Sequence, residues 1–383
     1  MIGKVAVVGR GVTRFDVQPD KSWKQLVCEA LYDALDDAKM DPTDIQAGTV
    51  GCAAPISFGQ MPIATCVADC TGLNLMGLTH NAEQCTAGLL AIRDAFYAIR
   101  SGVYDRVVVI GFEKETDLLD MRKFLDMDMD AEYEAPFGIY SPPLWYKLHN
   151  QLHGEPTREQ TAMYAVHARK MAKKNPKAYF YDKPEITVED FLNAPPWSSP
   201  LGVLDRTNYY VDGAAVIILT SGEIAKKYTD TPVYLEGISQ KNDHHYLWMD
   251  PNNSLFPALR LAAKEAYEMA KVKPSDVDLA CLHDCWAFWG LLQLECLGIC
   301  KDKEGGKFAE EGQMALGGRC PCATDGGVYG RAHPFGATGV ASAIEAVTQL
   351  RGEAKDRQVD DAEIAVQTQL GYSARTACIW RRS

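Results

Sequence analysis

"AKMDPTDIQAGTVGC" (residues 38–52) and "AKVKPSDVDLACLHD" (residues 270–284) read alike. Each is a helix tail stopped by a Pro-Thr/Ser-Asp turn, after which an apolar run begins. A second pair follows in the same order. "CTAGLLAIRDAFYAIRSG" from Cys85 matches "GATGVASAIEAVTQLRGE" from Gly336, with Gly88 on Gly339, Ala95 on Ala346 and Arg100 on Arg351. The closing apolar runs are "DRVVVIGF" (105–112) and "EIAVQTQLG" (363–371). Helix, turn, strand, linker, small-residue turn, helix and strand thus occur twice. This is an internal duplication of an α/β unit.

The strands in both copies are near-continuous Val/Ile runs, as in "KVAVVG" (4–9) and "GAAVIILT" (213–220). Such runs suit a sheet covered on both faces. The expected fold is therefore α/β, two similar halves packed with helices between their sheets. The first half takes residues 1–112 and 206–228, and the second takes 229–383. Between them, 113–205 differs in character, being rich in Tyr, Trp, Pro, Met and His. It reads as an inserted loop domain that forms a lid or pocket wall. Within it Thr157 and Gln160 mark a capping box at a helix start.

A formal charge of −12 argues against nucleic acid, which needs a basic footprint. No Lys/Arg block suggests a membrane surface, and no apolar run approaches the ~20 residues of a span. The N-terminus reads as a first strand rather than a leader, so a cytoplasmic protein is expected. Twelve cysteines in such a chain imply thiols rather than a disulfide framework. Cys296, Cys300, Cys320 and Cys322 match no strong zinc spacing, so no metal is expected. Gly9-x-Gly11 lacks the third glycine of a dinucleotide loop.

Three places carry chemistry. Cys85 precedes a helix whose apolar face is Leu89, Ile92, Phe96 and Ile99. A helix N-terminus lowers a thiol pKa and favours the thiolate, which makes Cys85 a candidate nucleophile; a buried structural cysteine is the alternative. His333 precedes the turn Gly336-Ala337-Thr338-Gly339, the counterpart of Cys85-Thr86-Ala87-Gly88. Pseudo-twofold packing would bring these helix starts together, with His333 as the base. His283, Asp284 and Cys285 end a strand whose counterpart offers only Gly51. His283 and Cys285 share a direction in extended chain, and Asp284 points away as a structural residue.

Jointly, "HDC" with its aromatic run, the spacing from Gly326-Gly327 to His333-Pro334 and Gly336-Ala337-Thr338-Gly339, and "DGAAVIILTSGE" from Asp212 resemble the thiolase superfamily. The likeness is to the sterol-carrier-protein-x and archaeal type and covers essentially the whole chain. It implies a duplicated five-layer αβαβα architecture with an inserted loop domain. It also implies Cys85 as acyl acceptor, His333 as its activator, Cys285 as acid/base, and one oxyanion hole from His283 and His333. A second hole would use the amides of Cys85 and Gly371. Coenzyme A is implied as substrate, with no permanently bound cofactor and CoA-binding residues left unassigned. A homodimer is implied as well, with a small zinc-ribbon/OB-fold (DUF35-type) protein as partner. The expected reaction is cleavage of a 3-oxoacyl-CoA by CoA, or the reverse Claisen condensation. The aromatic-rich insertion suits a bulky substrate, benzoylsuccinyl-CoA being an example within the family. The sequence departs from the family in Ala332 before His333, where glycine is usual, and in "CATD" (322–325) for Asn-Pro-Ser. Alternatives are a ketosynthase or hydroxymethylglutaryl-CoA-synthase-like condensing enzyme, against which Cys285 argues, and a non-catalytic acyl-CoA-binding scaffold subunit.

Overall fold

The computed structural model describes residues 3–117, 121–138, 141–154, 156–246 and 249–383. Eleven strands are β1 (Val5–Val12), β2 (Ala47–Gly51), β3 (Gly77–Asn81), β4 (Arg106–Lys114), β5 (Pro196–Ser198), β6 (Leu201–Gly202), β7 (Asp212–Ser221), β8 (Val233–Asn242), β9 (Leu279–Cys281), β10 (Ile364–Leu370) and β11 (Ala374–Arg382). The helices that matter for the site are α1 (Trp23–Ala38), α2 (Ile63–Thr71), α3 (Ala87–Arg100), α4 (Met121–Asp126), α5 (Ser141–His153), α6 (Arg158–Ala172), α7 (Val188–Leu192), α8 (Pro257–Ala270), α9 (Ala287–Cys296), α10 (Gly305–Glu310), α11 (Gly327–Arg331) and α12 (Phe335–Leu350).

Nine strands form one sheet in the order β3-β2-β4-β7-β1-β8-β11-β10-β9. The order is a palindrome about the β1/β8 junction. β2 runs parallel to β4 as β9 does to β10, and β7 is antiparallel to β4 and β1 as β11 is to β10 and β8. Even β3 has a vestige in the second half, a single parallel bridge from Ala280 to Cys322. The duplication read from sequence is thus a duplication of strand order.

The alternation of β1 shows how the layers arise. Ala6 and Val8 pack with α1, whereas Val5 and Val7 pack with α3 and α12. The far face of the second half packs on α8 and α9. The two halves of the one sheet thus lie on either side of α3 and α12, and helix, half-sheet, helix pair, half-sheet, helix gives five layers. Gly9 and Gly11 belong to this packing rather than to a nucleotide loop. A Cβ at either would fall within 2.3 Å of the α1 backbone at Ala34 or Ala30. In the insertion, Thr157 caps α6 with Gln160 in a reciprocal box. None of the described helices is long and apolar enough to cross a membrane.

Candidate active site

The two inner helices begin differently. At α12 the backbone N–H groups are satisfied across the halves: Gly336 N donates to Glu113 and Phe335 N to Glu115, at 3.0 and 2.9 Å. Glu113 also accepts from Ala53 N and Ala54 N. These carboxylates at the end of β4 hold the start of α12 against the first half. At α3 no carboxylate among the described residues accepts from the first N–H groups; a tight turn over Gln84–Thr86 leads in, and Cys85 is at its centre. Gln84 holds φ of 44°, a left-handed conformation that costs a non-glycine residue about 1–3 kcal/mol.

His333 Nε2 lies 3.1 Å from Cys85 Sγ. The tautomer follows from its other nitrogen. Thr338 Oγ1 donates to Pro334 O, so it accepts from His333 Nδ1–H at 2.8 Å. That leaves Nε2 as the acceptor for the Cys85 thiol proton. For His283 the logic reverses. Gln369 Nε2 donates to His283 Nδ1 at 2.7 Å and to Cys85 O at 2.7 Å. The His283 proton is therefore on Nε2, which is buried and has no partner among the described residues. One nitrogen of each ring and Cys85 Sγ all lie within 4.8 Å of one another.

Burial dominates the ionisation here. It drives the Cys85 thiol well above its usual range, with Cys285, Asp128 and Glu115 adding to the effect; only the residue's own amide pulls the other way. The lowered thiol pKa expected from the helix start is thus reversed, because a dry site surrounded by acidic groups penalises a thiolate more than one turn of backbone relieves it. Burial likewise holds His333 neutral, helped by His283 and Arg331. His283 is brought down to about 3 by burial and then by the Arg375 guanidinium. The resting pair is a neutral thiol beside a neutral imidazole.

Cys285 shares a cavity of about 40 Å³ with Cys85, Asp128, Tyr209, Trp289 and Gly371. Burial raises its thiol, and a hydrogen bond from Tyr209 opposes that rise. Tyr209 is stacked on Phe335 and lies 5.5 Å from His333, centre to centre. Thr207 N donates to Cys285 O at 2.8 Å and His333 N to Asn208 O at 3.1 Å. The stretch 207–209 therefore binds both the turn at Cys285 and the turn at His333. Asp284 points away, accepting from Val328 N at 2.7 Å and Tyr164 Oη at 3.0 Å, and so anchors the start of α11.

Gly371 lines the cavity, and its amide donates to Ala374 O at 2.8 Å, closing the turn between β10 and β11. Gln369, Tyr209 and Asp128 were not singled out from sequence. Gln369 is two positions before Gly371 on a strand, so face-sharing could have flagged it. For Tyr209 and Asp128 the sequence holds no comparable signal. Among the described residues, Cys85, His283 and His333 are the one cluster with metal-ligand proximity; the four cysteines weighed for zinc make no such group.

Residues 5–190 match the thiolase N-terminal domain and residues 239–380 the thiolase C-terminal domain-like family. The chain belongs to the thiolase family. It is an acyl-CoA acyltransferase of that kind. It is 37% identical to an acetyl-CoA acetyltransferase of Methanothermobacter thermautotrophicus over 98% of both chains. It is 29% identical to rabbit (Oryctolagus cuniculus) sterol carrier protein 2 over 96% of this chain and 70% of that protein. The solved Ltp2-ChsH2(DUF35) aldolase superposes with a TM-score of 0.85 at 27% identity, covering 99% of this chain and 98% of the other. In this thiolase the departure at Ala332 has a backbone cost. Its φ of 78° and ψ of 175° fall where glycine alone is at ease.

Proposed function

We propose that this thiolase cleaves a 3-oxoacyl-CoA with free CoA, or runs the reverse Claisen condensation, through an acyl group carried on Cys85. The observation that carries this reading is the 3.1 Å contact between Cys85 Sγ and the accepting nitrogen of His333. The thiol proton passes to His333 Nε2 as sulfur attacks the 3-oxo carbon. The developing oxyanion takes a hydrogen bond from His283 Nε2–H, which is otherwise unpaired, and from the newly formed imidazolium. Breaking the C2–C3 bond leaves the acyl thioester on Cys85 and an acyl-CoA carbanion, which takes the Cys285 proton. Cys285 then removes the proton from incoming CoA, whose sulfur attacks the thioester. Acyl-CoA departs, and Cys85 recovers its proton from His333.

Coenzyme A is substrate in this scheme. A bulky or aromatic acyl group, of which benzoylsuccinyl-CoA is an example, would stack on Trp286, Trp289 and Tyr372 and would have to widen the cavity of about 40 Å³ between them. The aldolase neighbour suggests a retro-aldol reaction instead. That chemistry forms no acyl-enzyme and has no use for a thiol paired to a base, so the Cys85–His333 contact favours the thiolase. The open edge of β3 supports a homodimer, and the neighbour's DUF35 component supports a small zinc-ribbon/OB-fold partner. The test is to incubate the protein with acyl-CoAs and look for the acyl mass on Cys85. Thiolysis of aliphatic and aromatic 3-oxoacyl-CoAs is followed in parallel, with and without the co-expressed partner. Absence of both acylation and thiolysis in every combination would reject the proposal.

A further inference from the structure

The acyl cavity holds a polar group that these steps leave unused. Asp128, in the turn after α4, lines the cavity with Cys85, Cys285 and Tyr209. Its Oδ1 is shielded from solvent and meets no hydrogen-bond donor among the described residues. The walls beside it are Leu125, Met129, Trp289 and Tyr372. Burial, and then the nearby Glu83 carboxylate, raise its acid to about 8, and both thiols feel its charge. That one oxygen, on a half-buried residue, has lost its water and gained no replacement among the described residues. Buried polar groups of that kind call for a partner, and in a substrate cavity the partner arrives with the substrate.

We propose that Asp128 is a specificity residue that donates its carboxyl hydrogen to an oxygen carried by the acyl group, beyond the two carbonyls that react. The preferred substrates are then 3-oxoacyl-CoAs whose chain bears a further carboxylate, ketone or hydroxyl. This rests on the thiolase reading, because the two thiols define the cavity as the place where the acyl group lies. A hydrocarbon chain would bury Asp128 without a partner. Sites built to pair a substrate oxygen discriminate strongly against analogues that lack it.

The experiment compares kcat/KM for thiolysis of 3-oxohexanoyl-CoA, 3-oxoadipyl-CoA, 5-hydroxy-3-oxohexanoyl-CoA and 3,5-dioxohexanoyl-CoA. The native chain should favour at least one oxygenated substrate by roughly tenfold or more, and the favoured one identifies the oxygen. Asp128→Leu should close that gap mainly through KM, and Asp128→Asn, which keeps an N–H donor, should retain part of it. Thermal midpoints report that the variants are folded. A native chain without preference, or an Asp128→Leu variant with the preference intact, overturns the proposal. Failure to cleave any of the four, with Cys85 never acylated, would instead overturn the thiolase reading itself.

Discussion

A thiol kept protonated beside a neutral imidazole becomes a nucleophile only when its proton moves, so in the proposed reaction Cys85 and His333 act as a unit. Cys85→Ser should abolish the acyl-enzyme seen by mass and lower thiolysis by at least about 10³-fold. In the proposed reaction Cys285 enters at a different step. Cys285→Ala should still accept an acyl group from a simple acyl-CoA yet lose carbon–carbon cleavage by about 10²–10⁴-fold, the worth of a positioned proton donor. Equal loss of acylation in the two variants would contradict this division of roles. Ala332 offers a test on stability. Ala332→Gly should remove strain of about 1–3 kcal/mol at an entropic cost of about 0.5–1 kcal/mol, raising the denaturation midpoint. An unchanged or lowered midpoint would show that the backbone there is not strained. Cys85, His283, Cys285 and His333 could be read from sequence because each stands at a helix start or strand end marked by small residues or a repeat. Gln369 carried only the weaker mark of sharing a strand face with Gly371, since its partner Cys85 is 284 positions away and only the paired halves bring them together.

The crossing of α3 and α12 depends on glycines where the two helices and the strand ends converge. A Cβ on Gly336 would lie 2.4 Å from Gly51 O and 2.5 Å from Phe112 O, and one on Gly88 would lie 2.5 Å from Gly336 O. These are backbone atoms of β2, β4 and the first turn of α12, with no rotamer to yield. Gly336→Ala should therefore destabilise the chain by about 1–3 kcal/mol and also displace the helix start that follows His333. Urea midpoint and thiolysis rate should fall together. A stable variant with full activity would mean that the crossing has slack. The sequence made this element legible as "GATG", the counterpart of the turn at Cys85. What it did not show is that Glu113 and Glu115, lying outside any motif, hold α12 in place through its N–H groups.

At the scale of the molecule, the repeat revealed two halves but not how completely they share one interior. All residues of α12 except Thr348 are buried. A helix buried on every side has no solvent face of its own. Its neighbours in that layer come from both halves: Leu89, Ile92 and Phe96 of α3, Val5 and Val7 of β1, and Ala365 and Trp380 of the second half. The sheet is shared as well, since Val5, Ala6 and Val7 pair with Leu235, Tyr234 and Val233 of β8. That junction could not be read from sequence, because either strand would serve equally as the edge of a separate sheet. The segment 229–383 expressed alone would therefore expose the α3-facing side of α12 and the edge of β8 that pairs with β1, surfaces that water penalises and that other chains can bind. It should bind a hydrophobic dye, self-associate and show no sharp unfolding transition by circular dichroism. The full chain should unfold in one step. A soluble, dye-free second half with its own cooperative transition would show that the middle layer is two surfaces in contact rather than one core.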